Sequence, residues 1–211
     1  MFGKIFDAIA AGVNWVQIRE KDLPTRELLA LVRRSIDASE AREPGESNPD
    51  SQRHHTKVIV NDRLDVAIAA AAAGVHLGSA SAPLREVVSW CRSGNAPREF
   101  LIGASCHTLA EACGAEKAGA GYVIFGPVFD TPSKREFGPP AGIAQLAAVC
   151  ATLRIPVLAI GGVDTRNAGD CRRAGAAGIA GIRIFQDARD AGELRGTVES
   201  LRNDFTGSAT R

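Results

Sequence analysis

The sequence has no excess charge, no paired cysteines and no apolar run of bilayer length, and each absence removes a class of function. Lys and Arg number 25 against 24 Asp and Glu, a formal net charge of +1 over 211 residues. A nucleic-acid or membrane-surface protein needs a basic excess on one face, so neither partner is expected. An anionic ligand must then be met by a local cluster of cations. The five cysteines (Cys91, Cys106, Cys113, Cys150 and Cys171) are odd in number and form no CxxC pair. That suits a reducing compartment, the cytoplasm, better than a disulfide framework or a zinc site. No stretch approaches the ~20 apolar residues of a membrane span. The first residues carry Lys4 and Asp7 inside a short apolar run and lack a cleavage pattern, so they read as the start of a helix, not as a leader.

What is present alternates. Short apolar or β-branched runs at 13–18, 57–61, 75–77, 100–104, 122–125, 157–160 and 179–182 read as buried strands. Between them, stretches of helical period cover 25–40, 64–73, 84–91, 109–118, 143–153 and 167–174. One more, 3–11, precedes the first strand, and another, 191–202, closes the chain. Gly74, Gly119 and Gly175 are placed to end helices. Strands apolar on both faces and joined by helices predict a parallel sheet covered on both sides, hence an α/β fold. The length fits a single domain spanning 1–211. A TIM (β/α)8 barrel is the expected architecture, with an eighth strand to be sought upstream of residue 1. An open doubly wound sheet is the alternative. The polar segment 41–56 reads as an inserted loop, longer than an ordinary connection.

Polar residues that interrupt the apolar pattern sit just past the predicted strand ends. Gln17, Arg19 and Lys21 follow the first strand, Asn61 and Asp62 the second, and Gly78-Ser79 the third. Ser105 and His107 follow the fourth, Gly126-Pro127 the fifth, Gly161-Gly162 the sixth, and Arg183 the seventh. In a barrel all these ends meet on one rim, where active sites of the fold lie. Gln17, Arg19 and Lys21 alternate along an extended segment and so share a side. With Lys134 they would form a cationic cluster for a phosphate or pyrophosphate; the bland alternative pairs Arg19 and Lys21 with Glu20 and Asp22. Asn61-Asp62 offers oxygens to a hard cation such as Mg²⁺, or else caps the following helix. The glycines of Gly161-Gly162 would let backbone N–H groups approach an anion at a helix N-terminus. The Gly- and Pro-rich segment 126–142, with Thr131, Ser133 and Lys134, is long enough for a lid, or is an ordinary loop. Cys106 lacks a partner arrangement for a nucleophile and reads as a small packed residue. His107 is either a helix-capping residue or a general acid/base, and His76 reads as structural.

The runs VQIREKDL (16–23), IVNDRLDVA (59–67), GVHLG (74–78), GASCHTLAEA (103–112), YVIFGPVFDTPSK (122–134), IPVLAIGGV (155–163) and AGAAGIAGI (174–182) together resemble the thiamine phosphate synthase/TenI family. They follow the family's order and cover nearly the whole chain. The resemblance implies a transferase that joins aminopyrimidine pyrophosphate to thiazole phosphate and releases pyrophosphate. It implies that Gln17, Arg19, Lys21, Asn61 and Lys134 hold the pyrophosphate and that Asp62 binds Mg²⁺. Thr131, Ser133, Gly161 and Gly162 would cradle the thiazole phosphate. From their own places past the strand ends, Ser105 and Arg183 are expected to complete the substrate-binding rim. Arg19, Lys21, Lys134 and His107 are the expected catalytic set.

Two departures stand out. The family's second acidic metal ligand is replaced within Ser79-Ala80-Ser81-Ala82, so Ser81 should leave Mg²⁺ more weakly held. A Ser-Ala pair near the last strand is replaced by Arg183-Ile184, where an arginine would tighten phosphate binding or obstruct it. Both point toward the TenI branch, whose thiazole tautomerases work without metal and carry a histidine at the position of His107. The intact QIREK and ND motifs point back to the synthases. A non-catalytic binder of phosphorylated ligands is the third reading. The sequence leaves the assembly open, a homodimer among the options.

Overall fold

The computed structural model describes residues 3–41, 55–131 and 139–206. Seven strands carry the fold: β1 (Trp15–Ile18), β2 (Lys57–Asn61), β3 (Gly74–Leu77), β4 (Leu101–Cys106), β5 (Tyr122–Phe125), β6 (Val157–Ile160) and β7 (Gly178–Ala180). All pair in parallel in strict sequence order, β1 to β7, in one curled sheet. A doubly wound sheet reverses its strand order partway across, so the open alternative is excluded. The architecture is the α/β barrel type anticipated from the sequence, with seven strands described.

The helices are α1 (Gly3–Ala10), α2 (Thr25–Glu40), α3 (Leu64–Ala69), α4 (Leu84–Trp90), α5 (Leu109–Ala118), α6 (Gly142–Thr152), α7 (Ala168–Arg173), α8 (Arg183–Gln186) and α9 (Ala191–Thr206). Alternation within each strand divides its side chains between two environments. In β2, Val58 and Val60 join the apolar layer beneath the helices, whereas Asn61 turns to the interior of the curled sheet. One apolar cluster lies under α1–α4, and a second runs under α5–α7. Among the described residues β1 and β7 do not pair with each other; on that side α1 packs against α8 and α9. Lys4 Nζ donates to Ala188 O at 2.6 Å, and the Arg202 guanidinium donates to Gly12 O, tying this seam.

Three local expectations need correction. Gly74 does not cap α3 but opens β3; the helix stops at Ala69, and Ala71 takes the left-handed φ of 55°. The last strand is three residues long, so Arg183 does not sit at its end but begins the short helix α8. α7 begins at Ala168, well beyond Gly161-Gly162, so these glycines are not at a helix N-terminus. The bulk of the expected 41–56 loop, residues 42–54, lies outside the described residues.

Candidate active site

The rim begins with a chain of hydrogen bonds across three strands. Gln17 projects from β1 and donates through Nε2 to Asn61 Oδ1 at 2.8 Å. Asn61, the last residue of β2, donates through Nδ2 to Asp62 Oδ2 at 2.8 Å. The Ser81 hydroxyl donates to the other Asp62 oxygen while accepting from Gly78 N at 2.6 Å. Asp62 is held at a φ of 61°, a region that Asp tolerates better than most residues. Its own N–H donates to His76 O at 2.9 Å. The capping alternative fails, because α3 is capped at Arg63 without any side-chain bond. Arg19 and Lys21 are exposed just beyond, and among the described residues neither forms an ion pair with Glu20 or Asp22.

A second chain lies beneath the first. His76 of β3 is 2 % exposed, with Nε2 2.8 Å from Ser105 Oγ and Nδ1 3.2 Å from the Tyr122 hydroxyl. Burial pushes the imidazole pKa down to about 4, against a smaller opposing pull from the Asp62 carboxylate, so the ring is neutral near pH 7. Ser105 is exposed at the rim. In the sequence Ser105 stands out as a rim residue, whereas His76 reads as structural and Tyr122 as the opening of an apolar strand. The signal was present only as a polar residue interrupting the GVHLG strand.

The β4 end supplies His107. Its backbone N–H donates to Glu111 Oε2 at 2.6 Å, while Thr108 Oγ1 accepts from Glu111 N at 3.2 Å. The helix cap is therefore Thr108, and the histidine side chain is released from that task. His107 Nδ1 instead meets the Gly126 carbonyl. A carbonyl oxygen only accepts, so Nδ1 carries a hydrogen, and in the neutral form of the ring Nε2 is then the acceptor. Cys106 is 2 % exposed, and burial raises its thiol pKa to about 11, which disqualifies it as a nucleophile near neutrality.

The segment after β5 lies along the end of β6. Val128 N donates to Ile160 O at 2.8 Å and Phe129 N to Gly161 O at 2.9 Å. Gly161 and Gly162 have φ of 93° and 65°, and a Cβ on either would come within 2.5 Å of the backbone of Pro127 or Asp130. Their role in the structure is thus to admit this strap against the rim. Asn167 Nδ2 donates to Gly162 O at 2.9 Å and fixes the turn from the other side. Thr131 closes the described part of the strap; Ser133 and Lys134 lie outside the described residues. Arg183 is exposed on α8.

Among the described residues no group of three or more His, Cys, Asp or Glu side chains could hold a metal ion. Asp62 is the one carboxylate in the Gln17–Ser81 network. Such a donor set fits Mg²⁺ when phosphate oxygens supply further ligands, which is this ion's common mode of binding.

A parallel barrel-type sheet with polar side chains gathered at the C-terminal ends of its strands defines a (β/α)-barrel enzyme. The thiamine monophosphate synthase family model matches residues 3–185. The chain is 42% identical over 173 residues to a putative thiamine-phosphate synthase of Geobacter sulfurreducens, covering 82% of this chain and 73% of that protein. It is 40% identical over 176 residues to the thiamine-phosphate synthase of Methanospirillum hungatei, covering 83% and 77%. Among solved structures, thiamine phosphate pyrophosphorylase from Pyrococcus furiosus superposes with a TM-score of 0.79 at 29% identity, over 97% of this chain and 88% of that one. A 3-hexulose-6-phosphate synthase, at 16% identity and a TM-score of 0.66, shares the fold. The chain belongs to the thiamine monophosphate synthase family.

Proposed function

We propose that this enzyme couples aminopyrimidine pyrophosphate to thiazole phosphate, forming thiamine phosphate and pyrophosphate. The observation that carries the reading is the Gln17–Asn61–Asp62–Ser81 chain beside the exposed Arg19 and Lys21, in a chain whose curated relatives are named as this synthase. The bond from the pyrimidine methylene carbon to the pyrophosphate oxygen breaks, and both electrons leave with the oxygen. The thiazole nitrogen then donates its lone pair to that carbon. No proton needs to move, so the work is neutralising the leaving group. Gln17, Arg19, Lys21, Asn61 and Lys134 would do so by charge and hydrogen bonds. Thr131, Ser133, Gly161, Gly162 and Arg183 would hold the thiazole phosphate, and Ser105 would touch the substrate at the rim. Asp62 would hold Mg²⁺ together with pyrophosphate oxygens, adding positive charge where the leaving group gains negative charge. The partners are small phosphorylated molecules, with a homodimer as the assembly to be tested by sedimentation. The setting we infer is cytoplasmic, from five cysteines that are odd in number and form no CxxC pair in the sequence.

One observation favours a second reading. With Nδ1 engaged by Gly126 O, His107 presents a lone pair on Nε2, as a thiazole tautomerase base would. One assay separates the two. Product is followed with and without Mg²⁺ in wild-type protein and in the Arg19→Ala and His107→Gln variants. The synthase reading expects Mg²⁺-dependent thiamine phosphate, with roughly a 10²-fold loss in Arg19→Ala and little change in His107→Gln. No product from folded protein that binds thiazole phosphate would sink it in favour of the His107 isomerase.

A further inference from the structure

Beneath the rim, the chain Tyr122–His76–Ser105 has a direction that simple counting of hydrogens reveals. Tyr122 is 1 % exposed and His76 2 % exposed, and no buried side-chain N or O atom among the described residues lacks a partner. The Tyr122 hydroxyl meets His76 Nδ1 at 3.2 Å, and His76 Nε2 meets Ser105 Oγ at 2.8 Å. A neutral imidazole has one donor nitrogen and one acceptor nitrogen. If Nδ1 carried the hydrogen, it would donate to the Tyr122 oxygen and leave the phenol hydrogen stranded in the interior. An unmet buried donor is costly, more so than an unused lone pair. The other arrangement satisfies everything. Tyr122 donates to Nδ1, the hydrogen sits on Nε2, and Nε2–H donates to Ser105 Oγ.

Ser105 is then left with its own hydrogen and an exposed position. Tyr122 is unable to swing away from this duty. Its ring lies where a side chain on residue 103 would be, since a Cβ there would come 2.1 Å from Tyr122 Cζ. Trp15 meets the same ring edge-on, with centroids 4.8 Å apart and planes at 71°. Apolar packing on two sides thus holds the phenol against His76, and a ring protonated on both nitrogens would strand the phenol hydrogen just as the Nδ1–H form does.

We propose that Tyr122 and His76 are positioning residues that occupy one lone pair of Ser105 Oγ and leave its hydrogen free for donation at the rim, where it would meet an acceptor atom of the ligand. The inference rests on the rim being the substrate site of the proposed synthase. It assigns polarity to a residue whose sequence gives only a hydroxyl, and it gives Gly103, Tyr122 and His76 a shared purpose.

The test has two arms. Nitrogen-15 NMR of the imidazoles in the full chain reads the tautomer of His76 directly, with the His76→Gln variant assigning its signals. The expected result is the Nε2–H tautomer in the wild type and a loss of that preference in Tyr122→Phe. Steady-state kinetics on aminopyrimidine pyrophosphate form the second arm. Ser105→Ala should lose about tenfold in kcat/KM, the scale of one hydrogen bond. Ser105→Thr should recover most of it, and Tyr122→Phe should raise KM several-fold while kcat falls less. An Nδ1–H tautomer in the wild type, or a tautomer indifferent to Tyr122→Phe, overturns the inference and leaves the synthase reading intact. The Nε2–H tautomer in a protein without synthase turnover overturns the synthase reading and leaves the polarity of Ser105 standing.

Discussion

A single buried histidine ties the pH range of this protein to its rim. His76 has a folded pKa of about 4 against an ordinary 6.5. As pH falls below 6.5 the unfolded chain takes up the proton first, so the folded state loses ground. The loss continues until about pH 4, where the folded ring also protonates, and it amounts to something on the order of 3 kcal/mol. His76→Gln has no titrating group there. Urea titrations between pH 4 and 7 should therefore show wild-type stability falling more steeply toward acid than that of the variant. Parallel profiles would mean that His76 keeps its proton affinity in the fold. The same residue shows what sequence could and could not convey. Gln17, Asn61 and Asp62 were legible because polar types at the ends of apolar runs have few reasons to be there. His76 was not, because a lone histidine within a buried strand looks the same whether it fills space or orients a neighbour. Tyr122 was hidden for a different reason, since its apolar ring fits the run that it opens.

At the scale of elements, strands β2, β5 and β6 and helices α2 and α5 match their sequence expectations to the residue, because the apolar pattern there ends at clear boundary residues, Pro24 ahead of α2 and Thr108 and Gly119 around α5. The failures lie where those signals part. The alanine tract 69–73 carries no mark of where helix ends, and the turn fell to Ala71, a residue with no preference for its φ of 55°. The glycine pair after β6 suggested a helix N-terminus, but spacing along the chain does not reveal that residues 127–130 cross over it. That crossing makes a prediction. Gly162→Ala would place a methyl within 2.5 Å of Asp130 O at a φ of 65°. Backbone strain at such a position costs about 1–3 kcal/mol, and moving the strap adds to it. Urea unfolding should register the full loss, accompanied by weaker binding of thiazole phosphate. A variant as stable as the wild type would show that the strap yields freely.

Over the whole molecule, successive β/α units contact mainly their neighbours, and the seam between first and last units depends on helices, since β1 and β7 are not paired with each other among the described residues. α9 is the element that joins them. Its Val198, 6 % exposed, belongs to the apolar cluster of the N-terminal half, and its Leu201, 7 % exposed, belongs to that of the C-terminal half. The Arg202 guanidinium adds a hydrogen bond to Gly12 O at the start of the chain. A helix shared by two cores makes their unfolding one event, because neither half can open without baring a face of the other. Leu201→Ala should destabilise by about 2–5 kcal/mol, and Val198→Ala by less, since fewer methyl groups are removed. The double variant is the informative one. With both contacts cut, the halves lose their common support, and urea unfolding followed by the emission of Trp15 and Trp90, both in the first half, should separate from that followed by overall helicity. A single coincident transition with additive losses would place the coupling in the β3–β4 pairing instead, and α9 would be no more than a cover.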